Sequence, residues 1–462
     1  MKDDNFLKEN NARHLWHPMG HPADSLANPP KIITGAEGVK ITDIDGHSVV
    51  DAVGGLWCAN LGYSNDVIKD AIAKQLYDLP YYSSFAGSTN PPAIEASLAV
   101  REMFADDGMA RVFFTSGGSD AVETTLRLAR QYHRLRGEPT RTKFISLKKG
   151  YHGTHFGGAS VNGNNRFRIS YEPLLPGCFH LPSPYPYRNP YGETDPAKLA
   201  QNIAAAFEDE VAFQDPKTIA AFIMEPIQGA GGVIVPDASF MGLMRDVCTR
   251  NGILMISDEV ITGFGRTGSD FGCNTMGIES PDMMTFAKQL SSAYMPISAS
   301  AIRRDMYDAM IDQTANAGAF GHGYTYSGHP VACAVALKVL EIYQRDQIFE
   351  KAAKTGAYLQ QRLVGFADHP LVGEVRGSGL LGALELVANK ETGEAFVGGA
   401  VGGYAQKMAQ DNGLLIRAVA GSSLGICPPL IITEQQVDEM VGKLSKALDA
   451  TLQHCTKQGL LT

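Results

Sequence analysis

GILMISDEVITGFGRTG (residues 252–268) is followed, after a Gly- and Pro-containing break, by MMTFAKQLSSAY (283–294). Each segment opens on a continuous apolar run, and each run stops on charge. The first ends at Asp258 and Glu259, the second at Lys288, thirty residues beyond Asp258. Runs without polar alternation read as strands covered on both faces, the habit of parallel sheets flanked by helices. The signature recurs outward from this pair, in RVFF (111–114), KFISL (143–147), IAAFIM (219–224) and ISASAI (297–302). Helical stretches at 120–136, 196–212 and 237–250 separate several of them. The pattern predicts an α/β fold around a largely parallel sheet, with ligands at the carboxyl ends of its strands.

The flanks read differently. Residues 31–53 alternate, and Asp45-Gly46 supplies a hairpin turn. Ser64 is the expected cap of a helix running to Leu79. Residues 164–192 carry Pro and Tyr without periodicity and read as a long loop. After Pro330 come two helices, short strands near 371–388 and 413–427, and a final helix from residue 433. That part predicts a second, smaller α+β domain, joined by the N-terminal hairpin.

The chain has 462 residues, 44% of them apolar and 19% charged, with a net charge of −9. Such a balance excludes a mainly disordered chain and argues against nonspecific binding to nucleic acid or anionic membranes, where a basic face is wanted. A local basic pocket for one phosphate remains open. Seven cysteines, none spaced C-x-x-C, suit free thiols in a reducing compartment. The start is polar, and no segment offers the roughly 18 uninterrupted apolar residues of a membrane span. A soluble cytoplasmic enzyme is the expectation.

Two segments match the G-x-G-x-x-G spacing of dinucleotide sites, GFGRTG (263–268) and GSGLLG (377–382). Neither has the leading strand and following helix that the motif requires, so both read as tight turns. Zinc-protease and P-loop signatures do not occur in the sequence. His152/His155 and His322/His329 lie in glycine-rich loops and read as hydrogen-bonding residues; no metal is expected.

Four features fall where an α/β active site would put them. In FFTSGGSDAVET a strand ends, Gly117 and Gly118 turn the chain, and Ser119 opens a helix whose exposed N–H groups suit phosphate. Asp258 delivers a carboxylate, and Lys288 an amine that desolvation would make nucleophilic. Tyr151, in GYHGTHFGGAS, offers a flat ring beside small residues. Each alone has an ordinary explanation: a helix cap, a solvated strand end, a snorkelling lysine, a packed ring. Together they specify a planar, phosphorylated, cationic ring whose aldehyde condenses with lysine, as pyridoxal 5′-phosphate (PLP) does.

Over nearly its whole length the chain resembles the class III (ω-type) aminotransferases of PLP fold type I, and especially the amine:pyruvate and ω-amino acid:pyruvate branch. The likeness rests on GLWCANLGY (55–63), FFTSGGSDAVET (113–124), GYHGTHFGGAS (150–160), MEPIQGAGGVIVP (224–236), ISDEVITGFGRTG (256–268), FAKQLSSAY (286–294), GHGYTYSGHP (321–330) and RAVAGSSLGICPPL (417–430). It implies a mostly parallel seven-stranded sheet in a large PLP-binding domain (61–328), a C-terminal small domain (329–462), and an N-terminal segment (1–60) joining the latter. Lys288 would form the Schiff base and shuttle the proton, and Asp258 would pair with the pyridine nitrogen. Gly118 and Ser119 would hold the phosphate, Tyr151 would stack on the ring and Val260 would pack its other face. Glu225 would lie near the phenolic side. Thr325 would reach the phosphate from a neighbouring subunit, which implies a homodimer, with a tetramer also open.

Ornithine- and GABA-type relatives resemble E-P-x-x-G-E-G-G, whose second Glu pairs an active-site Arg; here Ala230 stands in that place. Arg417 would then be free to bind a substrate carboxylate or to swing away for an uncharged amine, and Trp57 and Phe85 would line the pocket. Gln289 departs from the Gly common after the lysine. The expected reaction moves an amino group from an ω-amino acid, diamine or primary amine to pyruvate. An aminomutase or racemase on the same scaffold, or a nicotinamide dehydrogenase using GFGRTG, are the alternatives.

Overall fold

Six apolar runs become strands of one sheet in a computed structural model, which describes residues 3–85, 87–105, 108–278, 281–317 and 320–462. The strands are β1 Met109–Thr115, β2 Lys143–Leu147, β3 Cys178–Leu181, β4 Ile219–Met224, β5 Leu254–Asp258, β6 Met283–Phe286 and β7 Ser298–Arg303. Their spatial order is β1-β7-β6-β5-β4-β2-β3. β7 runs antiparallel to both neighbours, and the remaining pairings are parallel. This is the expected α/β sheet. β3 is the departure: the segment 164–192 is not all loop, because CFHL pairs with β2 as a four-residue edge strand. A strand that short carries no periodicity to read, and only its partner reveals it.

Helices Gly118–Leu135, Pro196–Gln214 and Phe240–Asn251 follow β1, β3 and β4. Asp195 starts the second by accepting from the N–H groups of Ala197 and Lys198, and Gly252 ends the third at φ +62°. Every residue of β4 is buried, and its Phe222 ring meets Phe207 of the second helix at 4.9 Å. Burying one such ring contributes about 1.5–3 kcal/mol, enough to fix a helix against the sheet. Ser64 does not cap the helix Asp66–Asp78. Asn65 does, accepting from Val67 and Ile68, while Ser64 sits at φ +59° and donates to the Ala36 carbonyl. Asparagine competes well for a cap, and the left-handed turn before it takes Ser64 out of position.

Ile33–Glu37, Lys40–Asp43 and Ser48–Asp51 form an antiparallel ribbon extended in parallel by Leu414–Leu415, so the N-terminal hairpin pairs with the C-terminal part of the chain. A five-stranded sheet holds Val372–Ser378, Leu381–Asn389, Glu394–Ala395, Arg417–Val419 and Ser423–Ile426. GSGLLG is the hairpin turn between the first two of these, with Gly379 at φ +57°. GFGRTG is likewise a turn region, and the helix after it has only four residues, Gly272–Thr275. Its Arg266 is fully buried and donates to the carbonyls of Leu380 and Pro428 and to Asn60 Oδ1, tying three distant segments together. All seven cysteines are free, and among the described residues no helix is long and apolar enough to cross a membrane.

Candidate active site

The carboxyl ends of β1, β2, β4, β5 and β6 converge on a cavity of about 350 Å³. Gly117, Gly118, Ser119, Tyr151, His152, Glu225, Asp258, Val260 and Lys288 are among its walls. The chain supplies each from the last residue of a strand or the few residues past it, where the apolar run gives out and polar groups meet space instead of core.

At the end of β1 the Asp120 carboxylate accepts from the N–H groups of Ser116 and Gly117, which fixes the turn into the helix. Glycine leaves space at two places here, and at Gly153 it is required. A Cβ on Gly118 would come within 3.2 Å of Val260, and one on Gly153 (φ +93°) within 2.6 Å of the Ser119 hydroxyl. The bare backbone leaves room at the helix mouth, where first-turn N–H groups and the macrodipole favour an anion.

Asp258 ends β5 almost fully buried. One carboxylate oxygen accepts from Thr285 Oγ1 (3.0 Å) and the Val260 N–H (3.2 Å), the other from His152 Nδ1 (2.8 Å). Three hydrogen bonds thus satisfy the carboxylate in its buried position. Glu225 is also buried and accepts from the N–H groups of Tyr151 and Gly229, each at 2.9 Å. Burial pushes this carboxyl up to about 7, and nearby Asp258 adds to the rise while His152 opposes it. Folding therefore retains a proton on Glu225 that the unfolded chain, titrating at 4.5, gives up. Its stabilising contribution is present below that value and is lost as pH rises through about 7. Glu225→Gln should flatten the decline in Tm of the cofactor-free protein between about pH 5 and pH 8; an unchanged slope would count against it.

Lys288 follows β6 at φ +43°, opening a short 3₁₀ turn. Burial lowers its ammonium pKa, opposed by Cys58, Asp258 and Glu225, so the neutral amine is more available than on a surface lysine. Its Nζ lies 5.9 Å from the centre of the Trp57 ring. Tyr151 is backed edge-on by Phe167 at 4.8 Å, which holds the ring in place.

Amine, buried aspartate, aromatic wall and anion-binding helix mouth form one constellation, and a model of the aminotransferase class-III family matches residues 23–448. The chain is a class III aminotransferase. The putrescine–pyruvate aminotransferase of Pseudomonas aeruginosa is 42% identical over 422 residues, 91% of each protein. The omega transaminase from Pseudomonas jessenii in complex with PMP superposes with a TM-score of 0.94 at 40% identity, covering 97% of this chain and 98% of that one. An amine transaminase from an uncultivated Pseudomonas species, in its PLP-bound internal aldimine form, gives 0.92 at 42%, over 95% and 99%. Class III aminotransferases depend on PLP, and this donor set fits it: an anion site for the phosphate, a charged acceptor for a ring N–H, and a partly desolvated lysine amine.

The aminotransferase assignment removes the dehydrogenase alternative, in agreement with the turn geometry of GFGRTG. Of the residues singled out from sequence, Gly118, Ser119, Tyr151, Glu225, Asp258, Val260 and Lys288 meet at the cavity. Trp57 is buried behind it, while its neighbours Leu56 and Cys58 line it. Phe85 and Thr325 do not reach it within one chain. Phe85 lines a second cavity with Gly323, and the Thr325 carbonyl accepts from the Tyr81 hydroxyl at 2.8 Å. Arg417 is half-buried in its strand, and among the described residues no carboxylate pairs with it. Burial lowers its pKa, and so does nearby Arg166, against Tyr151. Sequence reasoning left His152 as a generic hydrogen-bonding residue and passed over Thr285. His152 neighbours Tyr151, a usable signal, whereas Thr285 is marked only as the polar residue of an otherwise apolar strand.

Proposed function

We propose that this aminotransferase transfers the amino group of a diamine, an ω-amino acid or a primary amine to pyruvate, giving alanine and an aldehyde or ketone. The carrying observation is Arg417, a half-buried guanidinium with no carboxylate partner among the described residues, in a chain with Ala230 where the GABA-type pattern has glutamate. An unpaired cation beside Tyr151 suits a substrate carboxylate, and an apolar amine can enter only if that cation is left in water. The putrescine–pyruvate relative supports the same partners.

PLP supplies an electron sink for charge at the donor carbon. Lys288 Nζ takes the proton from that carbon and returns it, a task for which a lowered pKa suits it. Asp258 would hold the proton on the ring nitrogen, and Thr285 and His152 hold Asp258. Gly118 and Ser119 would bind the phosphate, Tyr151 and Val260 would cover the ring, and Glu225 would border its phenolic side.

The reading includes a homodimer. Phe85 and Thr325 lie away from the cavity of their own chain, and Tyr82, Phe85 and Tyr326 are exposed, a face that a second copy would cover. Phe85 then completes the substrate pocket of the other subunit and Thr325 its phosphate site. Residues 61–328 form the large PLP-binding domain, 329–462 the small one with 1–60 joined to it, in the cytoplasm.

A panel of amines with pyruvate, read as alanine, tests the reaction. A mutase or racemase would convert its substrate without pyruvate and yield no alanine. Arg417→Ala should cut kcat/KM for carboxylate-bearing partners by about 10²-fold, the worth of a charged hydrogen-bonded contact, and spare simple amines. Equal losses for both classes would remove Arg417 from recognition.

A further inference from the structure

The residue after the lysine is a glutamine with no exposed surface. Gln289 has two amide hydrogens and uses both: Nε2 donates to the Ile261 carbonyl at 2.7 Å and to the Trp57 carbonyl at 3.1 Å. Its backbone carbonyl accepts from the buried Tyr343 hydroxyl at 2.8 Å, which fixes the turn that carries Lys288, while among the described residues the side-chain Oε1 has no hydrogen-bond partner. One side chain thus joins the lysine turn, the Ile261 segment that lines the cavity, and the turn bearing Trp57.

Trp57 needs such a restraint. Its backbone is left-handed, at φ +60°, a conformation that bulky side chains rarely hold unless neighbours impose it. Its N–H donates to the Val53 carbonyl, but among the described residues the buried indole Nε1 has no hydrogen-bond partner, so no hydrogen bond anchors the ring itself. The ring is confined by shape. A Cβ on Gly229 would lie 2.8 Å from its Cζ3, and one on Gly425 3.6 Å from its Cζ2. The Gln289 amide holds the backbone carbonyl of Trp57, whose ring stands 5.9 Å from Lys288 Nζ.

We propose that Gln289 is a positioning residue that limits the size of the amine donor, by locking Trp57 in its left-handed turn beside Lys288. The proposal rests on the transaminase reading above and adds a determinant of its donor class: small diamines and short ω-amino acids over bulky aralkyl amines. Glycine at this position, having no amide side chain, would leave the Trp57 and Ile261 carbonyls without these donors.

The chain has two tryptophans, so Trp16→Phe leaves Trp57 as the sole emitter. In that background Gln289→Met, close in volume but without donors, should shift Trp57 emission to the red and increase its quenching by acrylamide, with and without cofactor. In the holoenzyme the ratio of kcat/KM for 1-phenylethylamine over putrescine should rise about tenfold, the scale on which a pocket discriminates by size. In a Trp57→Ala background the same substitution should leave that ratio unmoved, because the ring it positions is gone. Gln289→Asn, one methylene short of spanning both carbonyls, should move both readouts in the same direction and serves if the methionine variant does not fold. Unchanged emission, or an equal change of ratio with and without Trp57, overturns the proposal. Failure of every amine to yield alanine overturns the transaminase reading instead, and the emission experiment still decides whether Gln289 holds Trp57.

Discussion

Lys288→Ala should abolish amino transfer while leaving the fold intact. The side chain has two tasks, covalent attachment of the cofactor and movement of the proton, and general acid–base catalysis alone contributes about 10²–10⁴-fold. Losing both should lower kcat by about 10⁴-fold or more. Stability should not fall with activity. Burial disfavours the charged ammonium, so its removal relieves a cost, and alanine at φ +43° is no more strained than lysine. Borohydride reduction followed by mass spectrometry should find the cofactor on the peptide containing Lys288 in the native enzyme and on no peptide in the variant. An added small primary amine should restore part of the proton-transfer rate. Turnover within tenfold of the native enzyme would sink the assignment.

Asp258→Asn should be the next most damaging change. The amide keeps the volume and can still accept from Thr285 and Val260, so the strand end need not move. It loses the charge. A ring nitrogen kept protonated by a buried carboxylate would face a neutral group, and breaking a buried ion pair by removing one partner costs about 3–5 kcal/mol. That corresponds to a fall in kcat of about 10²–10³-fold or more. The other carboxylate oxygen accepts from His152 Nδ1, while His152 Nε2 is buried without a partner. An amide N–H₂ in that place would drive the imidazole into its other tautomer and leave a buried N–H unpaired. Weaker cofactor retention should accompany the slower rate, read by dialysis and absorbance. Wild-type kcat with asparagine at 258 would mean that the carboxylate has no part in the chemistry.

Much of this was legible in the sequence, for a local reason. Each buried strand must be apolar on both faces, so the run itself marks the strand, and the residue that breaks it marks the sheet's ligand edge. Thr115, Asp258 and Lys288 were readable in this way, as was the Gly turn before Ser119. Weak local signals failed where a tertiary partner decided the outcome. CFHL is a strand only because β2 lies beside it, and Asn65 displaces Ser64 as a cap only once the chain has turned.

From the sequence alone came the α/β class, the aspartate and lysine at neighbouring strand ends, and the absence of a glutamate at Ala230, because burial and side-chain chemistry act residue by residue. Only the folded chain decided that His152, 106 positions away, holds Asp258, that Arg417 has no carboxylate partner among the described residues, and that Gln289 clasps Trp57. Hydrogen bonds depend on tenths of an ångström and on orientation. Those are fixed by strand register and turn geometry across segments far apart in the chain, where no local pattern records them.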